Sequence, residues 1–98
     1  MANIVRAFGF AWFRREDYNR CLKIFIDSKV LPSQFDKWLK LANRALDDCK
    51  RQGNIAEKVY IDPDTFPAWC ASRGLDVDAK ARMAYASEVV AQKYRNQS

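Results

Sequence analysis

Ten consecutive residues near the start of the chain alternate in character with a period of two. Arg6, Phe8, Phe10, Trp12 and Arg14 interleave with Val5, Ala7, Gly9, Ala11 and Phe13. Successive side chains of an extended strand point to opposite sides. One side of such a strand therefore carries three aromatic rings between two arginines, and the other is mostly small. Rings that large need a cover, which can come from the core, a second copy of the chain or a ligand.

Beyond the strand the pattern turns helical. Glu16 and Asp17 open a segment in which Tyr18, Cys21, Leu22, Phe25 and Ile26 keep the spacing of a buried helical stripe. Leu31-Pro32-Ser33 interrupts it, and Ser33 is the expected N-cap of a second helix. Phe35, Trp38, Leu39, Ala42, Ala45, Leu46 and Cys49 share one side of that helix, Lys37, Lys40, Arg44 and Arg51 lie away from it, and Gly53-Asn54 ends it. Glu57 to Ile61 alternates again and predicts a second, short strand. Asp62-Pro63-Asp64 then signals a helix start, with Asp62 as cap and Pro63 at the first helical position. Phe66, Trp69 and Cys70 form the apolar side of this third helix, and Gly74 stops it. A fourth begins near Asp76 or Asp78 and runs past Val90, with an apolar arc too wide for one seam: Ala81, Met83, Ala84, Tyr85, Ala86, Val89 and Val90.

The order is thus βααβαα, and its halves echo each other. Phe13, Tyr18, Cys21 and Leu22 correspond to Ile61, Phe66, Trp69 and Cys70 at a constant offset of 48. The same offset sets Ala11 beside Val59, Trp12 beside Tyr60 and Phe10 beside Lys58. If Val59 and Ile61 face the helices, so do Ala11 and Phe13, and Phe8, Phe10, Trp12 and Tyr60 look outward. The expected fold is a small two-layer α+β domain, with two short strands and four helices on one side of the sheet. It occupies 1–98 as a single domain, with a weak βαα pseudo-repeat over 5–53 and 56–94.

Two stretches carry a resemblance. Ala11-Trp12-Phe13-Arg14-Arg15-Glu16-Asp17-Tyr18, and Ile61-Asp62-Pro63-Asp64-Thr65-Phe66 leading into Trp69-Cys70 and Arg73-Gly74-Leu75, resemble a group of short uncharacterised bacterial proteins. The resemblance spans most of the chain and implies no activity, cofactor or functional residue.

Composition limits the chemistry. The 98 residues include no histidine, which removes the commonest general base and metal ligand. Cys21, Cys49 and Cys70 are odd in number, form no Cys-x-x-Cys pair and fall on helical stripes. They read as buried thiols of a reduced, cytoplasmic protein, not as zinc ligands or disulfides. The pairs Asp62/Asp64 and Asp76/Asp78 sit at helix starts, where capping accounts for them better than magnesium. No glycine-rich phosphate loop appears, so no cofactor is expected. The apolar run from Ala7 to Phe13 is too short for a signal peptide or a membrane span. The net charge of +5 lies wholly before Asn54, where eleven Lys/Arg face six Asp/Glu.

These readings point to a small non-enzymatic protein-interaction module. It is expected to form a homodimer through the aromatic side or the edge of its first strand, with Arg6, Phe8, Phe10, Trp12, Arg14, Lys58 and Tyr60 as the contact surface. The alternative is a basic nucleic-acid-binding regulator in which the same rings stack bases and the cations hold phosphates.

Overall fold

Two glycines shape the path of the chain. Each follows a helix, and each has a positive φ, 86° at Gly53 and 68° at Gly74, where a side chain would be strained. At the first, Gly53 N–H donates to the Lys50 carbonyl and Asn54 N–H to the Cys49 carbonyl; at the second, Gly74 donates to Ala71 and Leu75 to Cys70. Both are Schellman closures, which satisfy the last helical carbonyls and turn the chain sharply back.

A computed structural model describes residues 5–95. Strand β1 (Ala7–Trp12) leads into helix α1 (Arg15–Ile24), a 3-10 turn (Ser28–Val30) and the long helix α2 (Phe35–Arg51). Strand β2 (Ile55–Tyr60) follows, then the short helix α3 (Phe66–Ser72) and α4 (Ala79–Arg95). This is the expected α+β domain of two strands and four helices in βααβαα order. No described helix is long and apolar enough to cross a membrane.

The strands are parallel, which requires the crossover that α1 and α2 supply. Their register sets Ala7 opposite Ile55, Gly9 opposite Glu57, Ala11 opposite Val59 and Trp12 opposite Tyr60. The offset is 48, the same spacing that relates the two halves of the sequence.

The helices do not share one side of the sheet, and here the expectation is corrected. On the small-residue side, α4 comes so close that a Cβ on Gly9 would lie 2.4 Å from the Ala86 carbonyl oxygen. Val59 packs there with Ala86 and Val90. On the other side, the Trp12 ring meets Trp38 of α2 edge-on at 5.1 Å. The sheet is therefore sandwiched. Each side has its own cover because the two sides differ in shape: a helix backbone can lie on Gly9, whereas a large side chain, Trp38, fills the space beside Trp12.

The main core joins Trp12, Phe13, Tyr18, Cys21, Phe25, Trp38, Leu46, Ile61, Phe66 and Cys70. Phe13 and Ile61, equivalent in the two halves, are both buried as predicted. Two caps differ from expectation. The N-cap of α2 is Gln34, without a side-chain bond. Asp62 accepts the Asp64 N–H and its carbonyl accepts from Thr65 and Phe66, which closes a turn before α3 instead of starting it. Pro63 is buried in that turn, and Pro67 occupies the first turn of the helix.

Helix α4 is clasped at its start from two directions. Asp78 Oδ1 accepts the Ala81 N–H at 3.1 Å, the capping role expected of it. Asp27, from the loop after α1, accepts the Ala79 N–H at 3.0 Å and forms a two-pronged pair with Arg82 at 2.9 Å. The Arg82 hydrogen bonds hold the Asp27 carboxyl below the usual carboxylate range.

Candidate interaction surface

The candidate residues divide into two groups. Trp12 is only 3% exposed, contrary to the expectation that it looks outward. Trp38 covers its edge, and the Lys58 ammonium stands 4.7 Å from the ring centroid. Phe10 is half-buried against the main core. Arg6 and Lys58 are exposed, and Tyr60 and Phe8 remain 41% and 42% exposed. The Arg14 guanidinium lies 4.4 Å from the Tyr60 centroid. The structure thus brings Trp12, Arg14, Lys58 and Tyr60 together through two cation–π contacts, and leaves Arg6 and Phe8 apart at the start of the strand. The reason is the position of α2: the small space beside Trp12 is filled by Trp38, while Phe8 lies nearer the helix C-terminus, where the chain turns away.

The backbone of β1 offers what its aromatic side does not. Ile55 N–H donates to the Arg6 carbonyl at 2.8 Å, and Ile61 N–H donates to the Trp12 carbonyl at 2.9 Å. In a parallel ladder the bonded residues alternate, so the even positions of β1 bond to β2. The N–H and C=O groups of Ala7, Gly9 and Ala11 point to the free edge. Two grooves flank this edge and share Phe8 and Gly9. One, about 480 Å³, runs beneath α4 between Ala7, Gly9, Met83, Ser87 and Ala91. The other, about 460 Å³, lies beside the end of α2 at Ala45, Asp48 and Cys49.

The groove under α4 is mainly apolar and contains no charged side chain. Val5, Phe8, Ile55 and Met83, all large and exposed, line it, with Met83 at 70%. Sequence reasoning did not single out Val5, Ile55 or Met83. The one available signal was the wide apolar arc of the last helix: Ala86 and Val90 are buried by the sheet, whereas Met83 and Ala84 of the same arc are left outside.

Away from the edge, charged groups are paired in ways that tie elements together. Glu57 accepts from Lys93 at 2.9 Å and from the Tyr94 hydroxyl at 2.8 Å, and these bonds keep its carboxyl below the ordinary range. Glu88 accepts from Arg73 and from the Trp69 indole N–H, which lowers its pKa in the same way. Arg20 pairs with Asp64, and Arg15 with Asp36. Burial pushes the Cys21 thiol up to about 12 and raises Cys70 as well. Among the described residues, no group of three or more His, Cys, Asp or Glu could hold a metal ion.

No family model, curated protein or solved structure matches this chain.

Proposed function

We propose that the protein is a small, non-enzymatic interaction module that self-associates through the free edge of β1. The observation that carries this reading is an unguarded strand edge bordered by exposed apolar side chains. Folded proteins protect such edges with charge, proline or a bulge, since an open row of N–H and C=O groups templates another strand. From Ala7 to Phe13, β1 has no charged residue and no proline. Burial of Trp12 turns the reading from the aromatic side of the strand to its edge.

The nucleic-acid alternative draws less support. A stacking platform needs open rings, and Trp12 is covered while Arg14 lies over Tyr60. Light scattering at micromolar concentration tests the main reading. The expected mass is about twice 11.4 kDa. A single monomeric species up to high micromolar concentration would overturn it.

A further inference from the structure

We infer that two copies join β1 to β1 in antiparallel fashion with Gly9 opposite Gly9, which makes one four-stranded sheet with both α4 helices on the same side. This inference rests on self-association through β1 and adds the partner's orientation and register. The first constraint is parity. The edge groups belong to Ala7, Gly9 and Ala11, so an added copy must set odd residues opposite odd ones to form bonded pairs. A two-fold axis then passes beside Phe8, Gly9 or Phe10.

Charge and overlap choose among the three. An axis at Phe10 sets Arg6 directly opposite Arg14 of the second copy, a like-charge pair that opposes association. An axis at Phe8 shifts the pairing toward Val5 and leaves the end of β1 unmatched. An axis at Gly9 pairs Ala7 with Ala11 and Phe8 with Phe10 of the other copy. All four phenylalanines then gather on the α2 side as cross-strand aromatic pairs. On the opposite side, Ser87 and Ala91 border the groove and are small enough for a second α4 to lie alongside.

Apolar surface lies open beside this edge, where Val5, Phe8, Ile55 and Met83 are 60, 42, 38 and 70% exposed. A stable interface removes about 800 Å² from each partner. The molecule is flat, 47 × 31 × 19 Å, with its apolar groove beside the free strand edge.

Cysteine cross-linking tests the register. In a Cys49→Ala background, Phe8→Cys and Phe10→Cys are made as separate chains, mixed and oxidised. Directly opposed non-bonded residues stand about 4.5 Å apart at Cα, within the reach of a disulfide. The Gly9 axis makes the 8-to-10 heterodimer the main product, with little cross-linking of either variant alone. Dominant 8-to-8 or 10-to-10 products overturn the register. A doubled mass with no cross-link in any combination overturns the arrangement and leaves self-association standing. A monomeric mass removes both. Hydrogen exchange on the unaltered chain gives a second readout. At a total chain concentration about ten times the dimer Kd, about one fifth of the chain is monomer, so the Ala7, Gly9 and Ala11 amides are expected to exchange roughly fivefold more slowly than in the dilute monomer. Exchange at those three amides that does not change with concentration overturns the arrangement.

Discussion

The two strands of the sheet have the same length and lie in register, yet they are finished differently. β2 carries Glu57 and Lys58 at its middle, with Glu57 tied to Lys93 and Tyr94 of α4, Lys58 over Trp12 and Arg14 over Tyr60. β1 carries Phe8, Gly9 and Phe10 at the equivalent positions, and the nearest charges are Arg6 and Arg14 beyond its ends. Position 9 makes the contrast sharpest, because Gly9 and Glu57 face each other under the same helix. One admits the helix backbone by having no side chain; the other holds the helix by hydrogen bonds. A strand made smooth enough for α4 to rest on is also a strand without the charges that keep other strands away.

The clasp at Asp27 offers the largest way to break this contrast, because it ties down the start of α4, the helix whose Ala86 lies over Gly9. Asp27→Ala leaves the Arg82 guanidinium, 7% exposed, without its carboxylate. Loss of one partner of a buried pair is expected to cost about 3–5 kcal/mol, read by urea unfolding. The same carboxyl has a folded pKa below its usual value of 3.8, so its contribution is fully present above that pH and is lost as pH falls through the folded value. The wild-type stability curve is therefore expected to fall more steeply with acid below pH 3.8 than that of Asp27→Asn.

The facing pair tests the contrast directly. Gly9→Ala forces a Cβ to within 2.4 Å of the Ala86 carbonyl oxygen and 2.9 Å of Val90 Cγ2, and backbone cannot yield as a side chain does. The expected loss is about 3 kcal/mol, at the upper end for overpacking. Glu57→Ala, at the opposite position, removes hydrogen bonds at a partly exposed site and is expected to cost about 1 kcal/mol. Equal losses at the two positions would mean that α4 is held the same way over both strands.

Phe8→Arg sharpens the comparison at the edge. It supplies β1 with a charge of the kind β2 already carries. In dilute solution, where the wild type is also monomeric, the thermal midpoint is expected to change little, since Phe8 is 42% exposed, while at micromolar concentration the mass by light scattering drops to that of a monomer. Lys58→Ala on β2 is expected to leave the mass unchanged. The smallest effect concerns the equivalent helices α1 and α3. Cys21 and Cys70 are fully buried with raised thiol pKa values, and Cys49 is half-buried beside the groove. Cys49 is expected to label first with a thiol reagent at about pH 8, and the other two only at the rate of unfolding.

Much of this organisation is legible along the chain because it depends on near neighbours. Alternation marks the strands, helical stripes mark Tyr18, Cys21 and Trp38, and Gly53 and Gly74 mark the stops, since each signal acts within a turn or a strand. The offset of 48 predicted the strand register, Trp12 opposite Tyr60, because both strands enter their helices by similar turns. Helix starts were less legible: Asp62 and Ser33 have the right chemistry, but it serves a turn at Asp62 and makes no cap bond at Ser33.

Packing decided the rest. Alternation separates Phe8, Phe10 and Trp12 from Ala7, Gly9 and Ala11, but it cannot say which helix covers which side, since both α2 and α4 offer an apolar stripe. Tertiary structure assigned α4 to the side where Gly9 lets a backbone approach and α2 to the side where Trp38 meets Trp12. That assignment buried one expected contact residue and left another, Phe8, exposed. It also brought Val5, Ile55 and Met83 together from three distant segments beside one free strand edge. A strand's edge is defined by the absence of a neighbour, and neighbours are a property of the folded chain, so alternation could name the edge of β1 as a candidate contact but only the fold shows that it lies open.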